Sequence, residues 1–159
     1  MRTERYTWDD TWMSMAVVMA ERSPDPNTQV GSVIISQENK LISGGYNGTP
    51  KGICPSSIPW DREGEPGKTK YDWIIHSEQN AIDNATASTK NGKCYVTLQC
   101  CNNCSMSLIQ AGIKEIIYLD DKYKDMWFTK IGLDMLERVD IIVRKHEWSD
   151  SYIKIQGSK

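Results

Sequence analysis

A cluster of cysteines near residue 100 constrains this chain more than any other feature of its sequence. Cys100, Cys101 and Cys104 lie within five consecutive positions, and the other two cysteines are Cys54 and Cys94. An odd number of cysteines with this spacing is a poor framework for disulfide bonds. In a reducing compartment, clustered cysteines more often bind a metal ion or take part in catalysis. The cysteines therefore predict that the chain binds a metal ion or takes part in catalysis.

Length, composition and charge exclude several classes of protein. The chain has 159 residues, 39% of them hydrophobic, which suits one globular domain with its own core. Its formal net charge of -2 offers no broad surface for nucleic acid or an anionic membrane. No apolar stretch is long enough to span a bilayer, and the first ten residues are too polar for a signal peptide. We therefore expect one cytoplasmic domain over residues 1–159, with no nucleic acid or membrane partner.

Periodicity and turn residues predict alternating helices and strands. The first helix should begin after Thr7, which can form a capping box with Asp10, and should bury Trp8, Trp12, Met15 and Met19 on one face. A loop rich in glycine and proline over residues 47–70 is long enough to be functional or disordered. We predict helices over residues 8–22, 77–87, 102–111 and 124–137, and strands over residues 29–35, 41–46, 93–96, 113–119 and 139–143. The first two strands form a hairpin and the rest alternate with helices, which predicts a mixed sheet covered on both faces.

Two short segments at predicted helix starts carry metal-binding chemistry. They are His76-Ser77-Glu78 and Cys101-Asn102-Asn103-Cys104. One imidazole and two thiolates suit zinc, and a site with three protein ligands leaves a fourth position for water. Zinc lowers the pKa of bound water to roughly 7, so hydroxide is available at neutral pH. We therefore predict a catalytic zinc ion held by His76, Cys101 and Cys104; the alternative is a structural zinc site.

Glu78 stands two residues after the predicted histidine ligand, where it can face the water without binding the metal. A His-x-Glu segment followed by a Cys-x-x-Cys segment is the signature of zinc nucleobase deaminases, in which the glutamate is the general acid and base. We predict this role for Glu78. The alternative is that Glu78 is only a favourable negative charge at a helix start.

With these motifs, the chain resembles the cytidine and deoxycytidylate deaminase family, and the deoxycytidylate (dCMP) deaminases in particular. The further matching segments are residues 25–31, 45–50, 97–98 and 110–113, together with the long loop over residues 47–70. Two positions depart from the family pattern. Ser77 replaces the usual alanine of His-Ala-Glu, and Cys100 replaces the usual proline before the first ligand cysteine. The spacing to Cys104 and the family register both favour Cys101, not Cys100, as the ligand.

The resemblance implies a three-layer α/β/α fold with a mixed five-stranded sheet. It also implies a hydrolase of pyrimidine metabolism that converts dCMP and water to dUMP and ammonia. Asn47 would bind the sugar hydroxyl of the substrate, although its turn sequence alone could explain it. Ser77 would offer its backbone amide to the reacting region, as alanine does in the family.

The resemblance further implies an allosteric homohexamer, activated by dCTP and inhibited by dTTP, with Mg²⁺ bridging the effector phosphates. The candidate effector site consists of Arg22, Asn27, Gln29, Gly45, Tyr46 and Gly48. Glycines there would let backbone amides approach a triphosphate, and Arg22 adds a permanent positive charge. The alternative is that these residues simply form a tight strand ending.

Other functions remain open at the level of sequence. The substrate could be cytidine, guanine or a tRNA adenosine, or the chain could be a catalytically silent zinc protein that senses nucleotides. Glu78 argues against silence, and the balanced charge argues against RNA. We expect His146 on the surface, and we expect Cys54 and Cys94 to be ordinary residues that pack like small hydrophobic groups.

Overall fold

The computed structural model of the protein describes residues 4–157, and its central element is a five-stranded sheet. The strands are β1 (Gly31–Ile35), β2 (Leu41–Tyr46), β3 (Lys93–Leu98), β4 (Glu115–Asp120) and β5 (Ile142–Lys145). The helices are α1 (Trp8–Ala20), α2 (Ser77–Asp83), α3 (Asn102–Gln110), α4 (Trp127–Glu137) and α5 (Asp150–Gly157).

The sheet is mixed, in the order β2-β1-β3-β4-β5. The pairs β1–β2 and β1–β3 are antiparallel, whereas β3–β4 and β4–β5 are parallel. Parallel neighbours require a crossover, and here α3 and α4 supply the two connections. All five residues of β1 are buried, as expected for an interior strand covered on both faces. The predicted mixed five-stranded sheet with helices is therefore confirmed.

Two hydrophobic cores lie on opposite faces of the sheet. One core joins Ile34 and Val96 of the sheet to Ala81 of α2, Leu108 of α3 and Leu136 of α4. The other packs α1 against the opposite face and contains Trp12, Met13, Ala16, Val33 and Tyr95. Neighbouring residues of β1 thus point into different cores, because successive side chains of a strand face opposite sides. The result is the predicted three-layer arrangement.

Two glycines let helices rest directly on the sheet backbone. A Cβ atom at Gly31 would lie 2.0 Å from the carbonyl oxygen of Ala16 in α1. A Cβ atom at Gly45 would lie 2.4 Å from the carbonyl oxygen of Ser77 and from the amide nitrogen of Ala81 in α2. At either position, any residue with a Cβ atom would require a shift of the backbone. The second places the start of α2 at a fixed distance from β2.

The first helix begins as predicted, and Trp12, Met15 and Met19 of the predicted face contact the core, whereas Trp8 does not. Thr7 and Asp10 form the capping box. The buried hydrophobic residues are Trp12, Met13, Ala16 and Ala20, whereas Trp8 is 62% exposed and stacks on Trp12 with 5.3 Å between ring centroids. The helix ends at Ala20, two residues earlier than predicted. Its last turn tightens there, because the amides of residues 22 and 23 bond to carbonyls three positions back.

Several other predicted bounds were wrong by a few residues. Strands β1 and β4 each begin two residues later than predicted, and α4 begins at Trp127 instead of residue 124. Helix α2 ends at Asp83 and not at residue 87. Strand β3 extends to Leu98, where it pairs with Asp120 of β4. Strand β5 begins at Ile142, three residues late, because Asp140 has a positive φ of 53° and turns the chain after α4.

The segment after β5 departs most from the prediction. Helix α5 was not predicted, and His146 is 4% exposed, so its expected surface position was wrong. His146 is covered because Trp148 packs against its ring, with 4.5 Å between the ring centroids. Trp148 in turn stacks on Tyr152 of α5. Ser149 fixes the start of α5: it accepts the amide of Tyr152 and donates to Asp10 of α1.

The cysteines outside the predicted zinc site differ from each other. Cys94 is fully buried in the core, as expected of a small hydrophobic residue. Cys54 is exposed and contacts the hydroxyl of Ser56, so the expectation of packing was wrong for this residue. Among the residues that the structure describes, no helix is long and apolar enough to cross a membrane.

Candidate active site

The three predicted zinc ligands lie together at two helix starts. His76 is the N-cap of α2, Cys101 is the N-cap of α3, and Cys104 lies in the first turn of α3. Their ligand atoms are all within 4.8 Å of one another, and no other group of this kind was found in the described part of the chain. His76 Nδ1 is 3.3 Å from the sulfur of Cys104 and 3.5 Å from that of Cys101. Tetrahedral zinc with ordinary bond lengths separates nitrogen and sulfur ligands by about 3.6 Å, so these residues fit a zinc ion.

The fold brings the ligands together at the carboxyl end of β3. Cys101 follows this strand, which is parallel to β4, and the start of α2 packs beside the start of α3. Sites of α/β proteins commonly form at this end of parallel strands. Exposure falls from His76, which is exposed, through Cys101 to Cys104, which is buried. The group is therefore anchored in the core on one side and open to a pocket on the other.

The three candidate ligands interact with one another, and this shifts their pKa values. A hydrogen bond from Cys104, together with the interaction with His76, outweighs burial and lowers the pKa of Cys101 to about 4. The hydrogen bond to Cys101 in turn raises the pKa of His76 to about 9. Cys104 has a raised pKa because it hydrogen-bonds to the Cys101 sulfur and is buried. Cys101 is thus a thiolate at neutral pH, whereas His76 and Cys104 would each have to lose a proton to bind a cation, because metal ligands must be deprotonated.

Cys100 lies outside this group of ligands. Its side chain belongs to the hydrophobic core beside Cys104, and burial raises its pKa well above the ordinary thiol value. Its sulfur is absent from the group whose ligand atoms lie within 4.8 Å of one another, whereas the Cys101 sulfur belongs to that group. The geometry therefore favours Cys101 as the partner of Cys104.

Glu78 is buried and lines the same pocket as two of the predicted ligands, His76 and Cys101. Its side chain is 4% exposed and lines the pocket together with His76, Ser77 and Cys101. The Ser77 hydroxyl donates to Glu78 Oε2 at 3.0 Å. A carboxylate beside an open metal position, but absent from the ligand group, is positioned to exchange protons with water and substrate.

One wall of the pocket is a polar network centred on Asp25. Asp25 accepts hydrogen bonds from the Asn27 amide, from Asn47 Nδ2 at 3.2 Å and from Lys70 Nζ at 2.5 Å. Asn47 also accepts the Val30 amide at 2.7 Å through its Oδ1. Asn47 does line the pocket, but much of its hydrogen-bonding capacity holds this wall together.

The pocket mouth contains residues that sequence reasoning missed. Arg62 donates to the hydroxyls of Tyr71 and Tyr123, at 3.4 and 3.2 Å, and all three side chains line the pocket. Phe128 and Leu98 add apolar surface. The composition of the long loop signalled a functional segment, but no local pattern singled out Arg62.

The residues of the predicted effector site divide into two groups. Arg22, Asn27 and Gln29 are exposed, whereas Gly45 and Gly48 are buried. Gly45 and Tyr46 pair with β1, and the Gly48 amide donates to the Ile75 carbonyl. Gly45 also has the packing role against α2 described above. The backbone at these two glycines therefore already has structural partners.

The comparisons with known proteins agree with this geometry. The family model "Cytidine and deoxycytidylate deaminase zinc-binding region" matches residues 6–120. A human protein named deoxycytidylate deaminase is 44% identical over 126 residues, which are 78% of this chain and 71% of the human protein. A mouse protein of the same name is 39% identical over 156 residues, 97% of this chain and 86% of the mouse protein.

A solved structure resembles most of this fold. It is a dCMP deaminase from the cyanophage S-TIM5 in complex with dCMP and dUMP. It shares 25% sequence identity with this chain at a TM-score of 0.69, over 86% of this chain and 95% of the phage chain. The family model, the two mammalian relatives and the three converging ligands lead to the same result: the chain belongs to the cytidine and deoxycytidylate deaminase family.

Proposed function

We propose that the protein catalyses the hydrolytic deamination of dCMP to dUMP and ammonia. The observation that carries this proposal is the convergence of His76, Cys101 and Cys104 beside the buried carboxylate of Glu78. The human and mouse relatives are named deoxycytidylate deaminase, and the similar phage structure contains dCMP and dUMP. These names support a pyrimidine nucleotide as the substrate.

His76, Cys101 and Cys104 would hold a zinc ion, which supplies an activated water molecule when bound. Glu78 accepts a proton as the water oxygen bonds to C4 of the cytosine ring, and it delivers this proton to N3. It then moves the second proton of that water from the C4 hydroxyl to the amino nitrogen as the C4–N4 bond breaks, so that the C4 carbonyl forms and ammonia leaves. The Ser77 backbone amide lies in the first turn of α2, where helix amides are free to bind oxygen or nitrogen acceptors.

The pocket mouth suits a nucleotide with a phosphate group. Arg62 carries a permanent positive charge and, among the described residues, it has no carboxylate within ion-pair distance. Lys70 is different, because Asp25 already neutralises it. We therefore assign the substrate phosphate to Arg62, with Tyr71 and Tyr123 as further donors. Asn47 remains our candidate for the sugar hydroxyl.

The direct test is ammonia release from a panel of substrates under one set of conditions. The panel contains dCMP, dCTP, deoxycytidine, cytidine, guanine and tRNA. We expect turnover of dCMP well above that of the others. Preference for guanine or tRNA would replace this function with another deamination, and zinc binding without turnover of any member would favour the silent nucleotide sensor.

We further propose that the protein is a homohexamer in the cytoplasm, with dCTP as activator, dTTP as inhibitor and Mg²⁺ on the effector phosphates. The support is the family resemblance and the exposure of Arg22, Asn27 and Gln29 next to the polar wall of the pocket. Because the backbone at Gly45 and Gly48 is engaged, side chains would supply most of the phosphate contacts. Sigmoidal dCMP kinetics that dCTP makes hyperbolic, from a protein that sediments as a hexamer, are expected. Hyperbolic kinetics indifferent to both nucleotides, from a monomer, would contradict this.

A further inference from the structure

A chain of hydrogen bonds connects the carboxylate of Glu78 to the interior of the sheet. The Ser77 hydroxyl donates to Glu78 Oε2 at 3.0 Å, and the hydroxyl oxygens of Ser77 and Ser32 are 2.7 Å apart. A hydroxyl has one hydrogen to donate. Because Ser77 gives its hydrogen to Glu78, Ser32 must be the donor to Ser77. The chain is therefore directed from Ser32 through Ser77 to Glu78.

The location of the two serines makes this chain rigid. Both have no exposed surface, so water does not compete for their hydroxyls. Ser32 lies in β1, the strand paired on both sides, opposite Gly45 of β2 and Val96 of β3. One end of the chain is thus fixed in the sheet, and the other end holds one oxygen of the carboxylate.

Ser77 and Cys100 are the two positions at which this chain departs from the pattern of the family it resembles. The departure at Ser77 therefore adds a hydroxyl that contacts the predicted proton carrier.

We propose that Ser77, supported by Ser32, is a positioning residue for deamination: it holds Oε2 of Glu78 and leaves Oε1 to exchange protons with water and substrate. This inference rests on the proposed function. A side chain that is free to rotate would spend part of its time away from the reacting atoms, and misplacement by an ångström is costly in catalysis. Removal of the donor should therefore lower turnover without changing how the ground-state nucleotide binds.

The test compares Ser77→Ala with Ser43→Ala. Ser43 is the matched control, because it is a buried serine whose hydroxyl donates to the backbone of α2 at Ala81, away from Glu78. For each variant we would measure bound zinc, kcat and KM for dCMP, and affinity for dUMP. We would also measure affinity for a deoxynucleoside monophosphate analogue whose ring carries a hydroxyl on a tetrahedral C4.

Ser77→Ala should keep its zinc, and its KM and dUMP affinity should stay within about twofold of wild type. Its kcat and its affinity for the tetrahedral analogue should each fall about tenfold, the size expected for one hydrogen bond to a charged group. Ser43→Ala should change none of these quantities by more than about twofold. If Ser77→Ala does not fold, Ser32→Ala/Ser77→Ala carries the same test, because it leaves no unpaired hydroxyl.

Two results would overturn the inference alone. One is an active wild type whose Ser77→Ala variant keeps kcat and analogue affinity within about twofold. The other is an equal loss of kcat in Ser77→Ala and Ser43→Ala, which would indicate a general packing effect. A wild-type protein that releases no ammonia from dCMP would overturn the proposed function and this inference with it.

Discussion

Lys70 and Asp25 form an ion pair inside the protein, with 2.5 Å between Nζ and Oδ2 and side chains that are 5% and 1% exposed. Lys70 ends the long loop that follows β2, and Asp25 belongs to the segment between α1 and β1. The pair therefore fastens the end of the loop to the polar wall of the pocket. Asn47 bonds to the same carboxylate, so the ion pair also fixes a candidate substrate contact.

Lys70→Met should destabilise the protein strongly. The substitution retains the apolar stem but leaves the buried Asp25 carboxylate without its cation, a loss of about 3–5 kcal/mol for a buried pair. The measurement is the free energy of unfolding in urea. Lys145→Met is the control, because Lys145 pairs with Asp121 on the surface and its removal should leave the urea midpoint almost unchanged. Equal midpoints for both variants would show that the buried pair adds nothing.

Purified protein should contain about one zinc ion per chain, since the described residues provide one group of three ligands. Cys101→Ala and Cys104→Ala should each lose the metal, because each removes a sulfur ligand. Cys100→Ala should retain it, since that thiol faces the core. Elemental analysis after exposure to a chelator makes the comparison. Zinc retained by Cys101→Ala and lost by Cys100→Ala would show that the other cysteine is the ligand.

Glu78→Gln should separate binding from chemistry. The amide oxygen can still accept the hydrogen bond of Ser77, but it does not carry protons at neutral pH. Zinc content and dUMP affinity should match wild type, while kcat falls by on the order of 10² or more. Single-turnover kinetics would place the loss in the chemical step. Full activity in this variant would remove Glu78 from the mechanism.

Arg62→Ala should weaken recognition of the phosphate specifically. We expect kcat/KM for dCMP to fall by about tenfold or more, because a charge-assisted contact is lost, while kcat/KM for deoxycytidine stays unchanged. Arg138→Ala is the control, since Arg138 is an exposed arginine paired with Asp134 on α4. An equal loss for dCMP and deoxycytidine would contradict a phosphate contact and indicate a role in pocket shape.

Burial of His146 should make stability depend on pH. Burial lowers the pKa of His146, and the negative charges of Asp10 and Asp9 offset this effect only in part. The folded state therefore prefers the neutral ring, and the stability it contributes is present above the unfolded pKa of about 6.5 and lost as the pH falls below it. We expect the free energy of unfolding in urea to decrease less for His146→Gln than for wild type as the pH falls from about 7 to about 5.

Carboxylates also make stability depend on pH, but at lower pH values than His146 does. Burial alone would raise the pKa values of Asp9 and Glu115, but hydrogen bonds outweigh it and both values are lowered; their main partners are Tyr95 for Asp9 and Lys93 for Glu115. Their contribution is lost only at more acidic pH. Identical pH dependence in wild type and His146→Gln would mean that the histidine does not titrate in this window.

Local sequence signals predicted much of the fold and of the metal group. The capping pair at Thr7, the hairpin strands and the two ligand motifs each depend on residues close in the chain. The ion pair of Asp25 and Lys70 joins residues 45 positions apart, and the bonds of Arg62 to Tyr123 span 61 positions. No local pattern encodes such contacts, because the folded sheet creates them. His146 was misjudged for the same reason: Trp148, which covers its ring, stacks on α5, and Ser149 at the start of α5 bonds to α1.

The contact at Gly45 limits which substitutions this enzyme can tolerate. Helix α2 meets β2 main chain to main chain, so no rotamer stands between the sheet and the residues that begin the helix. His76 and Glu78 are both at that beginning. Substitutions in either core can change side-chain packing without altering this distance, whereas a single methyl group at position 45 would move the proposed metal ligand and the proposed proton carrier together. The distance between α2 and β2 is therefore set by backbone atoms and does not depend on which side chains fill the cores.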